Sequence, residues 1–229
     1  MAEDAANESY QHGLEVAEKE SKQARELALL GVPAAGGVAV FDNDPKNQTR
    51  KLFKEHCGTC HTIFDLGSGK GGSEAPSFVD YGGKAWLTAL IRNPADKRFY
   101  GGTKAHKTME PLTVEAVSDA ELAAVVEYVR SLGGPELGTT DAGLVAQGKE
   151  LWAGKLECSS CHEIEAGKDS TGPTLAGRGT AAWIARVIQD SSAKDLYGDT
   201  AEMPKFAGKL SPAEIEALAQ YVAEQRPRE

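Results

Sequence analysis

The sequence predicts an all-α protein in which two tandem helical domains follow an N-terminal helical arm. Two observations support this fold class. Apolar residues recur at helical spacing in several segments, and one series of short motifs occurs twice, over residues 47–135 and again over residues 136–229. Residues 1–46 lack that series and form the arm. Because the motifs repeat in the same order, we predict that both domains have the same fold.

The arm is predicted to contain one helix, from about residue 8 to residue 30, followed by an irregular segment. A weak apolar stripe supports the helix, and Gly31 and Pro33 end it. The segment is either a loosely packed or disordered tail, or an arm that docks or anchors the protein. The helical spacing of its apolar residues slightly favours the docking arm.

Each domain contains one C-x-x-C-H motif, the attachment pattern of c-type haem. In this pattern two thiols become thioethers on one edge of the porphyrin, and the histidine that follows reaches the iron from one side. The motif residues are Cys57, Cys60 and His61 in the first domain and Cys158, Cys161 and His162 in the second. All four cysteines of the chain are used. We therefore expect two covalently bound haem c groups, one wrapped by each domain.

A zinc site or a redox dithiol is the alternative explanation of a C-x-x-C pair. Zinc ribbons place two such pairs about 15–20 residues apart, and the two pairs here are much further apart. A redox pair is expected beside a βαβ unit, but neither motif has a strand-rich neighbourhood. Both alternatives are disfavoured.

The two domains contain the same elements in the same order. Each has an amphipathic helix before the motif, a proline turn, a tryptophan helix, a Tyr-Gly loop, a methionine loop and a last helix that a capping box starts. The matching segments begin at Lys51 and Lys149, Ala75 and Gly172, Trp86 and Trp183, Phe99 and Leu196, Met109 and Met203, and Ser118 and Ser211.

Each domain also has a single methionine, in the loop before its last helix. A thioether is a soft ligand that favours ferrous iron. We therefore expect Met109 to bind the first iron opposite His61, and Met203 to bind the second opposite His162. Filling both axial positions favours electron transfer over catalysis. The alternative role of these methionines, filling gaps in a core, does not explain their matched positions.

His106 is a rival ligand at the first iron, because it precedes Met109 by three residues on a longer loop. The neighbouring lysines favour a solvent-facing position for it instead. His56, next to Cys57, is expected at the surface.

The residues around each haem can also be proposed from the matched positions. A ligating histidine usually donates its second N–H to a carbonyl, and the carbonyls of Pro76 and Pro173 are candidates. Four aromatic residues suit the haem wall and hydrogen bonds to propionates: Trp86, Trp183, Tyr100 and Tyr197. For the two tryptophans, plain core packing explains the pattern equally well.

The net charge of −9 is unevenly distributed. The arm and the second domain each carry five more acidic than basic residues, whereas the first domain carries one more basic residue. This argues against nucleic acid as a partner and predicts that the two domains face different partners. The basic residues near the first ligand loop, Arg98, Lys104 and Lys107, are expected to contact an acidic surface.

No run of about 18 apolar residues predicts a transmembrane helix, and the acidic residues 1–4 do not begin a signal peptide. Covalent haem attachment in bacteria takes place outside the cytoplasm. We therefore expect that a targeting segment or upstream membrane anchor has been removed. The expected location is the periplasm or the outer face of the cytoplasmic membrane.

Together, the motifs of each domain resemble the class I cytochrome c domain, over about residues 47–229. The Tyr-Gly-x-Thr turns and the lead-in over residues 30–45 are also similar to diheme c-type subunits or domains of quinol-oxidising cytochrome bc complexes, in which an N-terminal part connects to the membrane. Met109 departs from the family's Met-Pro pattern, since Glu110 separates it from Pro111.

The resemblance implies a diheme cytochrome c, not itself an enzyme, that carries single electrons between redox protein partners. A membrane cytochrome bc complex and a terminal acceptor are the expected partners, in a respiratory chain. The alternative is a haem enzyme subunit, peroxidase-like or a small-molecule dehydrogenase, with one open or His-ligated haem. A methionine in each domain favours the carrier.

Overall fold

The structure is a computed structural model that describes residues 7–63 and 75–227, apart from the side chains of His106 and Lys107. Its fold is helical, and no β-strand occurs within those residues, so the predicted fold class is confirmed. The α-helices are α1 (Glu8–Ala28), α2 (Pro45–His56), α3 (Lys84–Arg92), α4 (Asp119–Ser131), α5 (Ala142–Ala153), α6 (Ala181–Asp190) and α7 (Pro212–Ala223). Short 3₁₀ helices span Gly37–Asn43, Lys104–Lys107, Gly134–Leu137, Cys158–Ser160 and Gly198–Thr200.

The chain divides into two compact units, Met1–Lys51 and Leu52–Glu229. In the first unit, α1 begins at an Asn7 cap and is exposed over most of its length. Leu27 and Val40 are the buried apolar residues of its described part. The Asn43 side chain donates to the carbonyl of Gly31 at 2.7 Å and joins the end of α1 to the following 3₁₀ helix.

The second unit contains both C-x-x-C-H motifs, and a capping box starts the last helix of each repeat. The Ser118 hydroxyl accepts from the Glu121 N–H, and the Glu121 carboxylate accepts from the Ser118 N–H, at the start of α4. Ser211 and Glu214 make the same pair of bonds at the start of α7. Both boxes satisfy backbone donors that a helix N-terminus leaves free.

The most extensive helix–helix contact in the described part of the chain joins the two sequence repeats. Helix α4, the last helix of the first repeat, packs on α5, the first helix of the second. An ideal Cβ at Gly148 would lie 2.0 Å from the carbonyl oxygen of Ala124, so only glycine permits this approach. Tyr128 and Trp152 pack edge to face beside the crossing, with ring centres 5.7 Å apart.

The other ends of the two repeats also meet. Phe53, on α2 of the first repeat, packs edge to face on Tyr221 of α7, with ring centres 5.8 Å apart. Helix α7 packs on α6, and α3 packs on α4. The two repeats are therefore in contact within one unit at two places, α4 with α5 and α2 with α7.

No helix in residues 7–63 or 75–227 combines the length and the apolar character needed to cross a membrane.

Candidate functional site

Two cavities of similar size hold the predicted site residues, and each is lined by both repeats. The first has a volume of about 260 Å³ and contains the motif at residues 57–61. Its facing wall comes from the second repeat. The residues of that wall include Trp183, Ile184, Val187, Ile188, Met203, Phe206, Leu218 and Val222.

The second cavity, of about 290 Å³, has the reciprocal arrangement. It contains the motif at residues 158–162, and the first repeat supplies the facing wall. The residues of that wall include Leu87, Leu90, Ile91, Met109, Leu112, Val125 and Val129. Each cavity thus combines the attachment motif of one repeat with the apolar helices and the methionine of the other.

The motif histidines are held by the carbonyls that the sequence points to. The distance from His61 Nδ1 to the carbonyl oxygen of Pro76 is 2.8 Å, and that from His162 Nδ1 to the carbonyl oxygen of Pro173 is 2.9 Å. These bonds fix both rings with Nδ1 as the donor and leave Nε2 as the nitrogen for a metal ion.

Burial keeps both imidazoles neutral, the state in which they bind metal ions. It lowers the pKa of His61 and the pKa of His162. The positive charge of Arg178 lowers the pKa of His162 further. His61 is also stacked on Phe78, with ring centres 4.3 Å apart. At the second motif, an ideal Cβ at Gly172 would lie 2.6 Å from Cε1 of His162, so this glycine leaves room for the ring.

The methionines are not placed as the sequence analysis expects. Met203 lines the cavity of His61, and Met109 lines the cavity of His162. Each methionine therefore shares a cavity with the histidine of the other repeat, and which thioether binds which iron stays a prediction. The physical reason for the shared cavity is the packing of the repeats: the linker after α4 brings α5 back against it, so the methionine loop of the first repeat closes the cavity of the second motif.

Two further histidines, His56 and His106, belong to the first repeat. The side chain of His106, the rival ligand to Met109, lies outside the described residues. His56 was expected at the surface; its side chain is 32% exposed, and its ring also lines the first cavity and packs edge-on to Phe206, with ring centres 6.1 Å apart.

The donor set fits a covalently bound haem at each cavity. The C-x-x-C thiols lie at the rim of an apolar space, and no disulfide joins them. Burial, with the neighbouring Cys60, raises the pKa of the Cys57 thiol to about 11, and burial also raises the pKa of Cys158. A neutral imidazole and a thioether sulfur are present in the same cavity each time.

Comparisons with known proteins agree with this donor set. Residues 48–133 match the family model described as Cytochrome c, and residues 143–222 match the one described as Cytochrome C oxidase, cbb3-type, subunit III. Over 181 residues the chain is 30% identical to a protein named cytochrome c4 from Stutzerimonas stutzeri, an alignment that covers 72% of this chain and 82% of the relative. The chain belongs to the diheme c-type cytochromes.

Two further relatives carry other names. The cytochrome is 27% identical over 230 residues to the cbb3-type cytochrome c oxidase subunit FixP of Bradyrhizobium diazoefficiens, covering 91% of this chain and 72% of the relative. It is 24% identical over 212 residues to a thiosulfate dehydrogenase electron acceptor of Stutzerimonas stutzeri strain A1501, covering 86% and 89%. No solved structure shows significant similarity to it. The cytochrome thus has two covalently bound haem c groups and is an electron-transfer protein.

The four aromatic residues proposed for the haem wall divide into two kinds. The indole N–H groups of Trp86 and Trp183 donate to the carbonyls of Ser77 and Thr174, at 3.3 Å and 3.1 Å, so they are not free for propionates. Trp183 lines the first cavity. Trp86 lines neither of the two cavities and packs edge to face on Phe99, with ring centres 5.0 Å apart.

Tyr100 and Tyr197 line both cavities of the cytochrome, and their hydroxyl oxygens are 2.9 Å apart. They occupy matching positions in the two repeats and meet where the cavities adjoin.

Arg178, which belongs to none of the motifs named above, is buried and lines the second cavity. Counted from the proline turns, its counterpart in the first repeat is Tyr81. A sequence signal was present: a lone cation stands between Gly177 and Gly179, where the first repeat has an aromatic residue.

Proposed function

We propose that the cytochrome carries single electrons within a respiratory chain of the bacterial envelope, between a quinol-oxidising cytochrome bc-type complex and a terminal acceptor. The single observation that carries the proposal is the sharing of Tyr100 and Tyr197 by both cavities. Two redox sites that adjoin inside one compact unit suit a relay that accepts an electron at one site and releases it from the other. The similarity to relatives named as oxidase subunits and as cytochrome c4 supports a respiratory role.

The protein's own residues would keep each site fit for electron transfer. When bound, each haem supplies one-electron iron chemistry. His61 and His162 would bind the metal through Nε2, because Nδ1 of each is held by a carbonyl. The methionine thioethers would supply soft donors that favour the reduced metal. The apolar walls exclude water and lower the local dielectric, which also acts on the potential.

We propose this ligand set for the two sites: His61 with Met203, and His162 with Met109. It differs from the set expected from sequence only in the partner of each histidine. With two protein ligands at each metal, neither site would leave a position for dioxygen or peroxide, which favours an electron carrier.

The proposed relay is tested by electron-transfer kinetics with isolated partners. The reduced cytochrome is mixed with a cbb3-type oxidase, and the oxidised cytochrome with a bc-type complex and quinol, while its haem absorbance is followed. Rapid oxidation by the first and rapid reduction by the second are expected. If neither partner exchanges electrons with it faster than a neutral small-molecule mediator does, this proposal is wrong, although the cytochrome remains an electron carrier.

The basic loop beside the first cavity gives a second test, of partner docking. Arg98 lies 3.3 Å from Asp96, and Lys104 lies 4.0 Å from Glu202, so internal carboxylates partly balance both cations. Both remain largely exposed. Changing Arg98, Lys104 and Lys107 together to Glu is expected to slow transfer to an acidic partner and to reverse its salt dependence. Electron-transfer rates that are unchanged and independent of salt would show that the partner does not dock on this loop.

A further inference from the structure

A buried carboxylate joins two segments of the second repeat. Asp195 is 6% exposed, and its Oδ2 lies 2.6 Å from a guanidinium nitrogen of Arg186, on α6. The same oxygen accepts the backbone N–H of Gly167, in the loop after the second motif, at 2.8 Å. Both members of the ion pair lie outside the residues that line the two cavities. One carboxylate oxygen therefore ties the loop that follows the motif to α6.

The carboxylate of Asp195 keeps its charge in this position. Burial raises the pKa of Asp195, but the bonds from Arg186 and from the N–H of Gly167 outweigh burial, so the pKa lies below the ordinary 3.8. A buried charge is tolerated only when such partners satisfy it, and removing one of them is costly. The position of Asp195 is therefore strongly fixed.

The backbone of Asp195 reaches the peptide that orients the second histidine. Its carbonyl oxygen accepts the N–H of Thr174 at 2.8 Å. The carbonyl of the same peptide unit, that of Pro173, lies 2.9 Å from Nδ1 of His162. Because a peptide unit is planar, the bond at its N–H also sets the direction of its carbonyl. The peptide is thus held by Asp195 on one side and holds the imidazole on the other.

The first repeat has the backbone bond but not the ion pair. The N–H of Ser77 donates to the carbonyl of Arg98 at 2.9 Å, beside the carbonyl that holds the first histidine. Counted from the proline turns, Arg98 stands at the position of Asp195, and Ala89 stands at that of Arg186. The Arg98 side chain is largely exposed, and alanine offers no charge. The buried anchor at these two positions is therefore a feature of the second repeat.

We propose that Asp195 is a positioning residue of the second site, which holds the Pro173 carbonyl so that the ring of His162 stays aligned for the iron. Its ion pair with Arg186 keeps Asp195 itself in place. The inference rests on the proposed role of His162 as a metal ligand. It holds whichever methionine binds opposite and whichever partners exchange electrons with the cytochrome.

The alignment acts on the ligand through its second nitrogen. A carbonyl that accepts the Nδ1–H bond fixes the ring and raises the basicity of Nε2, the nitrogen left for the metal. When the side chain of Asp195 is removed, the Pro173–Thr174 peptide loses its fixed support and the bond to His162 opens more often. Water then reaches the Nδ1–H of His162 but not that of His61.

The test is hydrogen exchange of the two imidazole Nδ1–H groups, measured by NMR on the reduced, diamagnetic full-length holoprotein. D195A is compared with wild type and with D169N. Asp169 is the matched control because it lies in the same loop and pairs at 3.4 Å with Lys194, the neighbour of Asp195, in a largely exposed ion pair that contributes little. D195A is expected to speed exchange at His162 about tenfold relative to exchange at His61, whereas D169N keeps the wild-type ratio.

The ratio separates positioning from a general loss of stability. A merely structural role of Asp195 would speed exchange at both histidines equally, and that result would overturn the proposal. An unchanged ratio in D195A protein that holds two haems by mass spectrometry would also overturn it. The ring-current shift of the His162 protons in wild type checks the ligand role separately. Without that shift the ligand role is wrong and the proposal falls with it, whereas a present shift and an unchanged ratio refute Asp195 alone.

D195N keeps the proposal testable if D195A does not assemble. Its amide oxygen can still accept the N–H of Gly167, but it carries no charge for Arg186. The exchange ratio of D195N is therefore expected to lie between those of wild type and D195A. A wild-type ratio in D195N would show that the ion pair does not hold the peptide, and would overturn the proposal.

Discussion

His61 and Met203 line the same cavity although they belong to different sequence repeats. The same relation holds for His162 and Met109 in the other cavity. Each site is therefore completed by the repeat that does not carry its attachment motif. This makes the two sites parts of one structure rather than two independent modules in series.

Because each cavity holds one histidine and one methionine, the structure predicts which iron loses its methionine ligand when either methionine is mutated. In a variant with Cys158→Ser and Cys161→Ser, only the first haem is attached. Met203→Ala is expected to abolish the weak red charge-transfer band of Met-bound ferric iron in that background, because Met203 faces His61. Met109→Ala is the matched control and is expected to leave the band in place.

The same variants would also reveal the alternative, in which each iron is bound by the methionine of its own repeat. If Met109→Ala removes the band and Met203→Ala does not, each iron is bound within its own repeat and the exchanged pairing is wrong. The reciprocal background, with Cys57→Ser and Cys60→Ser, gives an independent check, since there Met109 is the expected ligand.

Replacing Gly172 with alanine is predicted to disturb the second site locally. A Cβ there would lie 2.6 Å from Cε1 and 2.8 Å from Nδ1 of His162, so Gly172→Ala must displace the ring that Pro173 holds. We expect the Met-bound band of the second haem to weaken, and the free energy of unfolding to fall by about 1–3 kcal/mol, the usual range for overpacking.

The first repeat supplies the matched control, since Ala75 stands at the position of Gly172. Ala75→Gly adds no atom and is expected to leave His61 and its band unchanged. A fully intact second site in Gly172→Ala, seen in the same absorbance and unfolding measurements, would show that the ring does not depend on this glycine.

The local chemistry of each site could be predicted because it is written in short, contiguous patterns. C-x-x-C-H places two thiols and an imidazole within one turn, and the proline turns that follow bring a carbonyl to Nδ1 in both repeats. Capping boxes at Ser118 and Ser211 likewise depend on residues three apart. Such relations require no knowledge of how distant segments pack.

The pairing of repeats could not be predicted, because both repeats offer the same apolar pattern to either motif. The sequence pattern predicts that each methionine loop closes a cavity, but it does not predict whether that cavity holds the motif of the same repeat or of the other repeat. The choice depends on how α4 meets α5, and that contact rests on a glycine that carries no side-chain signal. Arg178 was missed for a related reason: its neighbours Tyr81 and Tyr100 come from the other repeat.

Gly148 predicts the stability of that helix contact. Gly148→Ala would put a Cβ 2.0 Å from the Ala124 carbonyl oxygen, where neither helix backbone can yield. The intrinsic preference of helices for alanine, about 1 kcal/mol, opposes the clash, and we expect a net loss of about 1–3 kcal/mol in the free energy of unfolding. Denaturant titration of the holoprotein measures it.

Gly143, on the same helix, is the control. It is exposed, and the nearest atom to its added Cβ is a side-chain carboxylate oxygen of Asp141 at 3.2 Å. Gly143→Ala is expected to be neutral or slightly stabilising. Equal effects of the two substitutions would mean that α4 and α5 do not approach closely at Gly148.

Glu121 predicts how stability changes in acid. Lys155, together with the backbone and side chain of Ser118, hydrogen-bonds its carboxylate and lowers its pKa from the ordinary 4.5 to about 2. A carboxylate with a lowered folded-state pKa stabilises the native state above its unfolded pKa, and this contribution is lost as the pH falls through the folded-state value. The loss is therefore expected between pH 4.5 and about 2.

Glu121→Gln removes that titration, so the difference in free energy of unfolding between wild type and variant is expected to shrink as the pH falls through this window. Glu216→Gln, an exposed change on α7, is the control and is expected to follow the wild-type curve. A difference that stays constant between pH 4.5 and about 2 would mean that the bonds from Lys155 and Ser118 do not favour the charged carboxylate. Because Lys155 follows α5 and Glu121 lies in the first turn of α4, 2.8 Å apart, the same titration measures an ion pair that joins the two repeats.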